Sequence, residues 1–90
     1  MRRAAKVDRN QGDIVTDLRA AGATVESLAT LGKGRPDLLV GYRGVNWLLE
    51  VKVDKGKLTP DQEAWHPTWR GQVAIVRSAD EALRVIGAIQ

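Results

Sequence analysis

The sequence contains no cysteine. That excludes disulfides and thiolate metal sites, and it fits a reducing interior such as the cytoplasm. No apolar run is long enough to span a bilayer, and the basic N-terminus lacks the apolar stretch of a secretion signal. Neither export nor a membrane partner is expected. Histidine occurs once, as His66 before Pro67, and a lone histidine there reads as a surface or cap residue rather than a metal ligand. There is no internal repeat, low-complexity tract or interdomain linker.

What is present is ordinary for one small globular domain. Ninety residues, 43% hydrophobic and 28% charged, can bury a compact but thin core. The net charge of +3 permits a polyanionic partner without requiring one. Residues 1–9 carry four positive charges with little apolar periodicity. They read as a frayed basic arm ahead of a single domain at 10–90.

Taken in order, Asp8 or Asn10 can cap a helix running to Ala21, with Gln11, Ile14, Val15 and Leu18 on one face and Gly22 as its stop. Asp13 and Asp17 fall toward the edge of that face. Residues 23–29 read as a strand. The loop Thr30 to Arg35 follows, with two glycines and two cations, either a flexible connection or a phosphate contact through Lys33 and Arg35.

The chain is organised around Gly34 to Val53, which reads as a β-hairpin: Leu38-Leu39-Val40, a turn at Arg43-Gly44, and a β-branched and aromatic run from Val45. A two-residue loop pairs Tyr42 with Val45 and, counting outward, sets Asp37 opposite Glu50. Opposed residues share a sheet face with Cβ atoms roughly 4.5–5.5 Å apart. Lys52 alternates onto that face while Val51 points away. Opposed like charges repel unless something uses them, and a hard divalent cation would, keeping water positions open for a phosphate. Spacing alone also allows Lys52 to neutralise Glu50 while Asp37 serves as a turn residue. The other face (Leu38, Val40, Tyr42, Val45, Trp47, Leu49, Val51 and Val53) is a core surface. Leu39 and Leu48 on the acidic face suggest helices on both sides.

Beyond the basic loop carrying Lys55 and Lys57, Thr59-Pro60-Asp61-Gln62 opens a helix with a capping box. Gln62 thus has a structural role and, equally, a possible contact with the nearby site. Trp65 and Trp69 pack or sit at a groove edge, and Pro67 shortens or kinks the helix. Gln72 to Arg77 reads as a buried strand. Ser78, with Glu81, caps a last helix with Ala82, Leu83, Ile86 and Ile89 as its stripe. The order is helix, three strands, helix, strand, helix, an α/β fold.

Pro36-Asp37, twelve residues, then Glu50-Val51-Lys52 resembles the PD-(D/E)XK nuclease signature. The Gly34-Arg35-Pro36-Asp37 loop and the Thr59 to Gln62 helix start resemble its VRR-NUC branch, especially the small standalone domains of bacteriophages. The resemblance covers about Gln11 to Ile86 and implies a restriction-endonuclease-like mixed sheet flanked by helices. It implies a metal-dependent DNA endonuclease. Asp37, Glu50 and the Val51 carbonyl then hold Mg²⁺ or Mn²⁺, Lys52 is the catalytic lysine, and Gln62 is a further site residue. Lys52 orients or deprotonates the attacking water, or stabilises charge on phosphorus. Many members carry a first-helix glutamate where this chain has Gln11, a poorer ligand, and Asp13 is the nearest substitute. Arg2, Arg3, Lys6, Lys33, Arg35, Lys55 and Lys57 would grip phosphates without reading sequence. Relatives imply a homodimer on branched DNA such as Holliday junctions. The alternative is a non-catalytic DNA-binding or packaging accessory retaining the fold, favoured by Gln11, and a weaker third is a module binding an acidic protein.

Overall fold

The computed structural model describes residues 2–90, with side chains from Asn10 onward. Its elements are α1 (Arg2–Ala20), β1 (Thr24–Ser27), β2 (Leu38–Tyr42), β3 (Val45–Val51), α2 (Pro60–Trp65) followed by a 3₁₀ turn (His66–Thr68), β4 (Val73–Val76) and α3 (Ala79–Val85). This is the expected α-β-β-β-α-β-α order. The four strands lie side by side in chain order, the first three antiparallel and β4 parallel to β3. A parallel neighbour needs a crossover, which α2 and the 3₁₀ turn supply.

The β2–β3 hairpin sets the register. Arg43 and Gly44 take φ of 50° and 81°, the left-handed pair that a two-residue primed turn requires. The Arg43 guanidinium lies 5.1 Å over the Tyr42 ring, a cation–π contact that helps hold the turn. Tyr42 pairs with Val45 and Leu38 with Leu49, as the loop length predicts. Leu38, Val40 and Leu49 are fully buried on one face, where they share a core with Ile14 and Leu18 of α1, Ala82 of α3 and Ile86, which caps α3.

Three expectations change. α1 reaches back to Arg2, across the stretch read as an arm and past the Asp8 or Asn10 cap. Arginine, alanine and lysine are strong helix formers and nothing before Gly12 breaks the run. The side chains of Arg2, Arg3 and Lys6 lie outside the described residues. The acidic sheet face is only partly covered: α1 and α3 share the opposite face, and α2 covers one end, leaving Leu39 and Ile75 exposed. The last helix ends at Val85 and turns at Gly87 (φ 83°), so Ile89 is exposed rather than part of the stripe. Among the described residues no helix is long and apolar enough to cross a membrane.

Candidate nuclease site

Asp37 sits one residue before β2 and is clamped three ways. Its N–H donates to the Leu49 carbonyl at 3.1 Å, its carbonyl accepts from Leu28 N–H at 2.8 Å, and its carboxylate Oδ2 accepts from Val51 N–H at 2.7 Å. The side chain thus takes over a bond that the hairpin ladder would otherwise give to backbone, and the register continued outward from Leu38 and Leu49 sets Asp37 against Glu50. The glycine of the preceding loop is required by proximity. At Gly34 (φ 84°) a Cβ would lie 2.3 Å from the Asp61 carbonyl oxygen, so the loop carrying Arg35, Pro36 and Asp37 is seated directly on the start of α2.

Glu50 is 1% exposed, the sole charged residue in the described core. Its Oε2 accepts from Gln62 Nε2 at 3.0 Å and faces Lys52 Nζ at 3.7 Å. Its Oε1 is buried with no hydrogen-bond partner. Burial first, then the charge of Asp37 and a side-chain hydrogen bond with it, push the Glu50 carboxyl up to about 7, against the opposing pull of Lys52. A buried carboxylate beside another carboxylate holds a proton unless a cation takes its place.

Gln62 reaches Glu50 while keeping its capping role. Its Oε1 accepts from Thr59 N–H at 2.9 Å and its own N–H donates to Thr59 Oγ1 at 3.3 Å. Both readings of this residue hold together, since the side-chain amide has a separate donor and acceptor.

His66, read from sequence as a surface or cap residue, is the C-cap of α2, its N–H donating to the Gln62 carbonyl, and its ring also faces the cluster. Its Nε2 is buried without a partner, 3.9 Å from the equally unpartnered Glu50 Oε1. Burial, then the Lys52 ammonium, lowers its pKa below the ordinary 6.5, so it is neutral at pH 7. The signal was four-residue spacing: a helix started at Pro60 stacks His66 over Gln62, on the face that meets Glu50.

The other candidates lie around this cluster. Lys33 and Arg35 are exposed in the loop before Asp37, and Lys55 and Lys57 are exposed in the loop after β3. Arg77, not singled out from sequence, pins the second loop through Nη1 bonds to the Asp54 and Gly56 carbonyls at 2.7 and 2.9 Å. Gln11 is half-buried and Asp13 exposed on α1. The cluster's side-chain hydrogen bonds and ion pair run to Val51, Gln62 and Lys52, and none to Gln11 or Asp13.

These residues fit a hard divalent cation. Two carboxylates converge, and one of their oxygens is buried without a bond. Among the described residues no three His, Cys, Asp or Glu side chains gather as a cage.

A mixed sheet with paired acids and a lysine where two strands part marks a small α/β nuclease domain. No family model and no curated protein matches the chain. A solved structure described as a VRR_NUC domain does, at 34% identity and a TM-score of 0.74, covering 90% of this chain and 94% of that one. The chain belongs to the VRR-NUC family.

Proposed function

We propose that the chain is a metal-dependent deoxyribonuclease that hydrolyses phosphodiester bonds and acts as a homodimer on branched DNA. The observation that carries this is the unpaired, buried Glu50 Oε1 beside Asp37 in a chain of this family. Asp37, Glu50 and the Val51 carbonyl would hold Mg²⁺ or Mn²⁺. When bound, such an ion neutralises charge on the scissile phosphate and acidifies a coordinated water.

The remaining work falls to the chain. The Asp37 clamp fixes one carboxylate and Gln62 fixes the other, so the pair is preorganised. The Lys52 side chain, 15% exposed, reaches both Glu50 and the open side of the cluster. There it orients the attacking water or stabilises charge building on phosphorus as one P–O ester bond breaks. Neutral His66 lies beside Glu50 Oε1 and adds no charge to the cluster. Lys33, Arg35, Lys55 and Lys57 grip the phosphate backbone.

The test is a cleavage panel of labelled linear, flap and four-way DNA with Mg²⁺, Mn²⁺ or chelator. The expected result is cutting of at least one substrate with metal only, abolished in Asp37→Asn and Lys52→Ala, each still binding DNA. Binding with no cleavage under any metal would overturn the enzyme and leave the accessory reading that Gln11 favours.

A further inference from the structure

The uncovered part of the acidic sheet face is an open groove of about 810 Å³. Leu39 and Leu48 form its floor, and both alternate onto the face that carries Asp37 and Glu50. Arg35 and Pro36, immediately before Asp37, line one side, and Trp65 and Trp69 line another. The groove therefore lies beside the candidate site on the same sheet face, Leu39 two residues along from Asp37 and Leu48 two from Glu50. Its lining is mainly apolar and aromatic, with one cation, Arg35, and no acidic side chain, which suits a flat apolar group carrying a phosphate.

The two indoles are stacked, with centroids 5.2 Å apart and planes 19° from parallel. Trp65 also meets the His66 ring edge-on at 5.7 Å. Trp69 is nevertheless 46% exposed, a large apolar surface that packing alone leaves wet. Its position is built rather than incidental. The rigid His66–Thr68 turn leads into it, Trp69 N–H donates to the His66 carbonyl, and Thr68 Oγ1 donates to the Trp65 carbonyl. A Cβ at Gly71 would fall 2.8 Å from Trp69 Nε1.

We infer that Trp69, backed by Trp65, is a stacking platform for an unpaired nucleobase next to the scissile phosphate, which makes DNA with unpaired nucleotides the preferred substrate. The inference rests on the nuclease reading for its substrate. Every base offers a flat π-face, so an exposed indole binds bases without sequence preference. Bases of intact duplex are already stacked on one another, so only a base freed at a flap, branch or single strand can reach the indole. Arg35 would hold the phosphate of that nucleotide.

The test measures binding in chelator, so that nothing is cut, to a flap carrying 2-aminopurine at the first unpaired position and to a fully paired duplex of equal length. Wild type should prefer the flap and quench the 2-aminopurine. Trp69→Leu, which keeps the apolar bulk, should lose roughly tenfold in flap affinity, the scale of one base–aromatic stack, with duplex affinity unchanged, and Trp69→Phe should keep most of it. Unchanged flap preference in Trp69→Leu, or unquenched 2-aminopurine in wild type, overturns the inference. So does a Trp69→Leu effect confined to oligomeric state by sedimentation, which would make the groove a contact between copies of the chain. Cleavage of the same flap with Mn²⁺ separates the two readings. If wild type cuts but Trp69 has no effect on binding, stacking alone fails. If Trp69 governs binding but nothing cuts, the stacking site stands and the nuclease reading falls.

Discussion

At the scale of single residues, Glu50 is a buried carboxylate with one oxygen left without a hydrogen bond, and that costs stability wherever it is ionised. Without a cation its pKa in the fold, about 7, lies above the ordinary 4.5. The native state then binds the proton more tightly than the unfolded chain does. That contribution is complete below about pH 4.5 and is lost as pH rises through about 7. A shift of that size is on the order of 3 kcal/mol. In chelator the melting temperature should fall from pH 5 to pH 8, and Mg²⁺ should restore more of it at pH 8 than at pH 5. Glu50→Gln should melt higher than wild type at pH 8 and lose this slope, and equal slopes in the two proteins would place the titration elsewhere. Asp37, Glu50 and Lys52 were legible because strand alternation and a two-residue loop translate spacing into position. His66 was not, because an isolated histidine before proline carries no meaning until α2 is aimed at Glu50.

At the scale of elements, the hairpin's turn and register and the capping box were readable to the residue, since each is a local rule with its own chemistry, whereas β3 stops at Val51 short of Val53 and Val45 is exposed beside the turn. The partial cover over the acidic face was not readable, because alternation reports which residues face a side and not how much of another element reaches it. The most consequential contact between elements is that of Gly34 with the Asp61 peptide. Gly34→Ala meets both a left-handed φ and that backbone atom, and should cost on the order of 2 kcal/mol in chemical denaturation. Gly32→Ala, with φ 60° but nothing within 4 Å, should cost less. Equal costs would mean that the close approach contributes nothing.

At the scale of the whole molecule, Lys52 sits with the acids, and four further cations lie on the two loops that precede and follow the hairpin strands. Lys33 and Arg35 lie on one loop and Lys55 and Lys57 on another, the second pinned by Arg77. DNA affinity should fall with salt, each phosphate contact adding about 0.9 to the log–log slope. Lys57→Ala should lower that slope by about one while leaving the preference for unpaired DNA intact. An unchanged slope would remove Lys57 from the contact surface.

Both acids, the lysine and the Val51 peptide lie on one hairpin and its two ends, and among the described residues Gln62 and His66 are the side chains from elsewhere that face Glu50. Bringing the acids together closes a short loop and costs little chain entropy. Lengthening the connections before Gly32 or after Asp54 should therefore leave the spacing between the acids untouched, and the paired carboxylates can travel with the hairpin wherever a supporting helix is provided.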